Sequence, residues 1–122
     1  MTSPDGKVAV DILDGGEFRM GGPLIGTIAL STGHRFDDCG GAMIFSDDSR
    51  HLAVAVWEQR ADAEGVRLVQ RILIVAAHSG ASVRWPGVFE ELEFRAFRGG
   101  ILLAVSSPKG EAQEFRIGSR LP

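Results

Sequence analysis

Apolar residues alternate with polar or small ones along most of this chain, and each alternating run stops at glycine, proline or a polar cluster. Residues 8–13 (VAVDIL) are β-branched and end at Gly15-Gly16. Residues 17–20 put Phe18 and Met20 on one face before Gly21-Gly22-Pro23, and residues 24–30 end at Ser31-Thr32-Gly33. Each run has the length of one strand, so the pattern predicts a meander of short antiparallel strands. A polar loop is expected over residues 34–41, then a strand over 42–45, the turn Ser46-Asp47-Asp48-Ser49, and a strand over 51–58 (HLAVAVWE).

In that last strand Leu52, Val54 and Val56 share one face, and Ala53, Ala55 and Trp57 the other. Both faces are apolar, which places the strand at the centre of the fold, covered on both sides, with Trp57 in the core. Residues 59–65 (QRADAEG) read as a mobile polar loop. Residues 66–77 read as a long strand with Ile72 and Ile74 on one face and Leu73 and Val75 on the other. A strand over 81–85 is expected to end at Trp85-Pro86-Gly87, because proline has no amide hydrogen to give a ladder.

Residues 88–97 carry two signals. Leu92, Phe94 and Ala96 alternate as in a strand, whereas Pro86 followed by Glu90 and Glu91 suits the start of a helix. Strand is favoured, because the phenylalanines and Gly99-Gly100 suit a hairpin. A final hairpin is expected from residues 101–105 and 112–117. The expectation is a single all-β domain over residues 1–122, a compact antiparallel barrel or sandwich of meandering hairpins with at most one short helix. Residues 1–6 are expected to form a flexible N-terminus.

Three segments share one turn grammar: SPDGKVAV from Ser3, SDDSRHLAV from Ser46 and SPKGEAQEF from Ser107. Each has serine, a turn-forming pair, a small or polar residue and then a strand. The first two begin 43 residues apart, within the roughly 40–45 residues of a propeller repeat. Over residues 46–80, where SDDSRHLAVAVWE is followed by RILIVAAHSG, the chain resembles the blade hairpins of WD-type and TolB-type β-propellers. It lacks their Gly-His and Trp-Asp pairs, and 122 residues do not hold the four blades of a closed propeller. The chain also looks like a small bacterial protein of unknown role.

Charge narrows the function classes. Thirteen Lys and Arg stand against sixteen Asp and Glu, and the basic residues are scattered singly. A nucleic-acid binder carries a basic footprint, so that class is disfavoured. Cys39 is the only cysteine, which excludes an intrachain disulfide and suits a reducing compartment. The opening MTSPDGK has no charged segment leading into an apolar run, and apolar runs stay far below the roughly 20 residues that span a bilayer. The expectation is a cytoplasmic protein off the membrane.

Candidate chemistry concentrates in HRFDDCGG, residues 34–41. A histidine, two carboxylates and a thiol lie close together, but no C-x-x-C or H-x-x-x-H spacing accompanies them, so no metal and no cofactor is assigned. A Cys39 nucleophile would need a histidine base, and His34, His51 and His78 have no spacing that supplies one. Gly21-Gly22-Pro23-Leu24-Ile25-Gly26 has no following Lys-Ser/Thr and reads as a strand bend rather than a phosphate cradle. Recognition is expected on connections, with Arg35, Asp37, Asp38, Trp85 and Pro86 as binding candidates. The favoured function is a non-catalytic binding or accessory module, of interaction or immunity type, with a protein partner and homodimer formation through sheet edges. The alternatives are an Sm-like or OB-like small barrel on nucleic acid, and a hydrolase-type enzyme using the residue 34–39 loop.

Overall fold

The computed structural model describes residues 1–17, 24–107, 110–118 and 121–122; for residues 14–17, 24 and 107 it describes the backbone. The expected Phe18/Met20 face and the turn at Pro108-Lys109 lie outside the described residues. The chain is all-β. Nine strands run β1 (Val10–Glu17), β2 (Leu24–Leu30), β3 (Arg35–Phe45), β4 (His51–Asp62), β5 (Gly65–Ala76), β6 (Ser82–Phe89), β7 (Glu91–Arg98), β8 (Ile101–Ser107) and β9 (Ala112–Arg116). Strands β1 to β6 form one antiparallel sheet in chain order and β7 to β9 a second. Among the described residues the strands form two antiparallel sheets and no closed barrel. No helix long and apolar enough to cross a membrane occurs among the described residues.

The all-apolar faces of β4 and β5 explain the layering. Leu52, Val54, Val56, Leu73 and Val75 join Val10, Ile28 and Leu30 in one core, while Ala53, Ala55, Ile72 and Ile74 join Leu92, Phe97 and Leu102 in a second on the opposite face. Covering both faces of one strand pair requires a sheet on each side. The first half of the six-stranded sheet supplies one cover, and β7–β9 supply the other. The fold-over comes at Gly40-Gly41. Cys39 pairs with Val56 and Met43 with Val54, so β3 spends four residues where β4 spends two. The same device recurs in β6: Trp85 pairs with Ile72 and Phe89 with Gln70. The strand therefore runs on through Trp85-Pro86-Gly87 instead of ending there, because the bulge absorbs Pro86 off the ladder and Gly87 at φ 124°.

The turns stack at one end. Ser3 Oγ donates to Asp5 Oδ1 at 2.7 Å, Val8 N donates to Ser3 Oγ at 3.1 Å, and Lys7 N to Asp5 Oδ1 at 2.9 Å. Ser46, Asp48, Arg50 and His51 repeat that network 43 residues on, at 2.6, 3.0 and 3.0 Å. In both turns the serine hydroxyl is the main cause that holds the aspartate below its ordinary pKa. Each turn closes the same strand register: Thr2 pairs with Ala9 and Phe45 with Leu52. A shorter glycine turn sets Phe97 opposite Leu102 in the third unit.

The three turns touch in series, Asp5 N donating to Ser49 Oγ at 2.9 Å and Asp47 N to the Phe97 carbonyl at 2.9 Å. Within residues 1–6, Ser3 is buried and Asp5 N donates to Ser49 Oγ.

Two expected loops are strand. Residues 35–41 belong to β3, because Phe36 and Cys39 both face the first core and the intervening Asp38 is accommodated as a bulge at φ 57°, a conformation aspartate tolerates. Residues 59–62 and 65 extend β4 and β5 as a paired ribbon past the core edge, down to Asp62 opposite Gly65. A hairpin ladder needs only backbone, so the polar sequence there does not stop it. Residues 91–98 are strand, as favoured.

Candidate functional site

The two sheets do not close along their whole length. Residues 41–43 of β3 and 91–94 of β7 border a cleft of about 510 Å³, walled by Trp57 and floored by Gln70. Its size falls within the about 300–1,000 Å³ typical of small-ligand sites. Gln70 is the one glutamine set into the apolar run of β5, and it is buried. Its Oε1 accepts the Leu92 amide hydrogen at 2.6 Å, which ties the second sheet to the first at the base of the cleft. A buried polar side chain costs little when hydrogen-bonded, and here the bond also satisfies a buried backbone donor.

Gly40 makes room for this floor. A β-carbon there would sit 2.7 Å from Gln70 Nε2 and 3.2 Å from Trp57 Nε1. The glycine is needed for close approach, and two nitrogen donors meet beside it. Trp57, expected in the core, is half-buried. Its alternation was read correctly, but β4 outruns the second sheet, so the ring forms a wall. The same ring borders a second hollow of about 350 Å³ with Ile25, Asp38, Gln59 and Leu68. At the cleft mouth Glu91 and Glu93 are exposed, and Glu93 pairs with Arg95 at 3.5 Å.

The residues singled out in the sequence are dispersed. Asp38 borders the second hollow, on the other side of Trp57 from the cleft. Asp37 accepts a hydrogen bond from Thr27 Oγ1 at 2.9 Å, and Arg35 is exposed opposite Ala29. Trp85 packs against the second core, its carbonyl accepting from Arg71 Nη2 at 3.3 Å, and Pro86 is exposed beside it. Arg71 and Arg84 share the Glu58 carboxylate at 3.2 and 3.3 Å. The histidines have separate surroundings: the His34 ring lies against Gly80, His51 Nε2 is 3.2 Å from the Pro122 carbonyl, and His78 is exposed. No group of three metal-ligating side chains occurs among the described residues. The sequence reasoning missed Gln70; the available signal was a polar residue interrupting a strand apolar on both faces.

Cys39 is buried, its Sγ donating to the Phe36 carbonyl at 3.4 Å. Burial pushes its thiol from the ordinary 9.0 up to about 11, Asp37 and Asp38 adding to the rise and a backbone hydrogen bond from Ile28 opposing it. Thiolate is the nucleophile, so this thiol is inert near neutrality. Native protein is expected to react with iodoacetamide only as fast as it unfolds; rapid stoichiometric labelling of folded protein contradicts this. Because the folded state keeps its proton above pH 9 while the unfolded state loses it, Cys39 makes stability fall between pH 9 and about 11. Urea unfolding of Cys39→Ser across that range should show a shallower decline.

Fold and cleft together define an all-β protein of stacked hairpin units with a ligand-sized opening between layers. Comparison with protein-family models, curated proteins and solved structures returned no match.

Proposed function

We propose that this protein is a non-catalytic binding module built from three stacked, blade-like hairpin units, and that it recognises a cationic group, such as a lysine or arginine side chain of a partner protein, in the Trp57 cleft. The observation that carries this reading is the cleft's construction: an aromatic wall and a buried hydrogen-bonded glutamine as floor, with the exposed Glu91 and Glu93 of β7 along its border. Aromatic faces and carboxylates both attract cations, and the attraction grows as water is excluded. The buried Cys39 thiol, its pKa pushed up to about 11 by burial, also favours this reading over an enzyme that would use Cys39 as nucleophile. The two repeated turn networks support the blade-like reading, and the lone buried cysteine suits a cytoplasmic location.

The test is a titration with arginine methyl ester, followed at the Trp57 indole N–H by NMR in a Trp85→Phe background. A saturable shift at roughly millimolar concentration is expected, as befits a one-residue fragment of a partner. Trp57→Ala should abolish it, and the double change Glu91→Gln, Glu93→Gln should weaken it about tenfold at low salt. An indole signal unmoved by arginine ester, or moved equally by a neutral or acidic ester, overturns the reading.

A further inference from the structure

The second sheet has one face turned toward the core that it shares with β4 and β5 and one face turned away from it. Register decides which residues lie on it. Leu102 stands opposite Phe97 as Leu52 stands opposite Phe45, so Leu103 and Val105 occupy the places that Ala53 and Ala55 hold in the middle unit. Ala53 and Ala55 lie beneath the second sheet, in the second core. Leu103, Val105 and their neighbour Ile101 are half-buried and belong to neither core. The stacking that covers this face in the middle unit leaves it, among the described residues, outside both cores in the last one.

The charges on the face have an order. One cross-strand row is Arg98, Ile101 and Arg116; the next is Ala96, Leu103 and Glu114; the third is Glu93, Val105 and Ala112, with Glu91 beyond it. One end of the face is therefore basic and the other acidic, on either side of an aliphatic centre strand. Glu114 lies in the middle row, and Arg95, at the strand irregularity, pairs with Glu93 at 3.5 Å. A two-fold axis through the centre sets Arg98 and Arg116 of one copy against Glu91 and Glu93 of the other, twice. Isologous pairing needs this self-complementarity.

We propose that the protein forms a two-fold dimer through this outer face, β8 against β8, steered by its basic and acidic ends. Three strands spaced about 4.8 Å apart and some seven residues long give a footprint of only a few hundred Å² per copy, below the about 800 Å² per partner of a standard stable interface and in the range of weak, transient ones. The dimer is accordingly weak and concentration-dependent.

Sedimentation equilibrium of the full chain from about 10 µM to 1 mM reads it out, the range in which a small interface dissociates. Wild-type protein should pass from monomer to dimer within that range. Leu103→Glu, at a half-exposed position, should remain monomeric with an unchanged circular dichroism spectrum. The discriminating pair is Arg98→Glu with Arg116→Glu in one variant, and Glu91→Lys with Glu93→Lys in another. Each alone should dissociate at least about tenfold more readily, and their equimolar mixture should associate more tightly than wild type. A wild-type monomer at 1 mM, a mixture that stays monomeric, or a dimer indifferent to all these changes overturns the proposal. The last result would transfer the contact to the sheet edges.

Discussion

Ile72→Ala is expected to lower the free energy of unfolding by about 2–5 kcal/mol, the cost of lost transfer energy and of the cavity left behind. Ile72 is completely buried on β5, pairs with Ala55 and Trp85, and faces the core between the two sheets. Strands cover it from both layers, so collapse around a smaller side chain is limited and the upper part of that range applies. Urea denaturation checks it, with the midpoint falling and the slope unchanged. A loss under about 0.5 kcal/mol, the size of an ordinary surface change, would mean that the second sheet does not press on this position. Ile74, completely buried on the same face, should behave alike, whereas Val66→Ala on the exposed ribbon should be nearly silent.

Gly40→Ala is the second large effect, and it joins stability to the cleft. The added methyl would stand 2.7 Å from Gln70 Nε2, closer than carbon and nitrogen pack, and a tight 3.2 Å from Trp57 Nε1. Gln70 cannot swing freely, because its Oε1 holds the Leu92 amide hydrogen across the sheets. Overpacking of this kind costs about 1–3 kcal/mol, and a broken Gln70–Leu92 bond adds the penalty of an unsatisfied buried donor. The arginine-ester response at Trp57 should vanish with it. Gly41→Ala is the control, since nothing lies within 4 Å of its added methyl; its stability should stay within about 0.5 kcal/mol of the parent. Equal behaviour of the two variants would remove Gly40 from the cleft floor.

Much of the fold was written into local sequence. Period-two alternation at residues 51–56 and 72–75 placed two central strands, because a strand apolar on both faces has nowhere to lie but between layers. The serine–aspartate turns at Ser3 and Ser46 were legible as one device, since their hydrogen bonds close within six residues and depend on nothing distant. The all-β class follows from those two facts and from glycine spacing that allows no long helix.

What required the tertiary structure was everything decided by segments far apart in the chain. Residues 35–41 became strand because β2 and β4 on either side supply ladder partners, which outweigh a polar composition. Trp57 became a wall instead of core because the second sheet stops short of it, and where one sheet ends over another is not encoded in alternation. Gln70 gained its role only when Leu92, 22 positions later, arrived above it. Local periodicity specifies which faces must be buried; the packing of whole sheets specifies which buried face is left with an opening, and there the cleft formed.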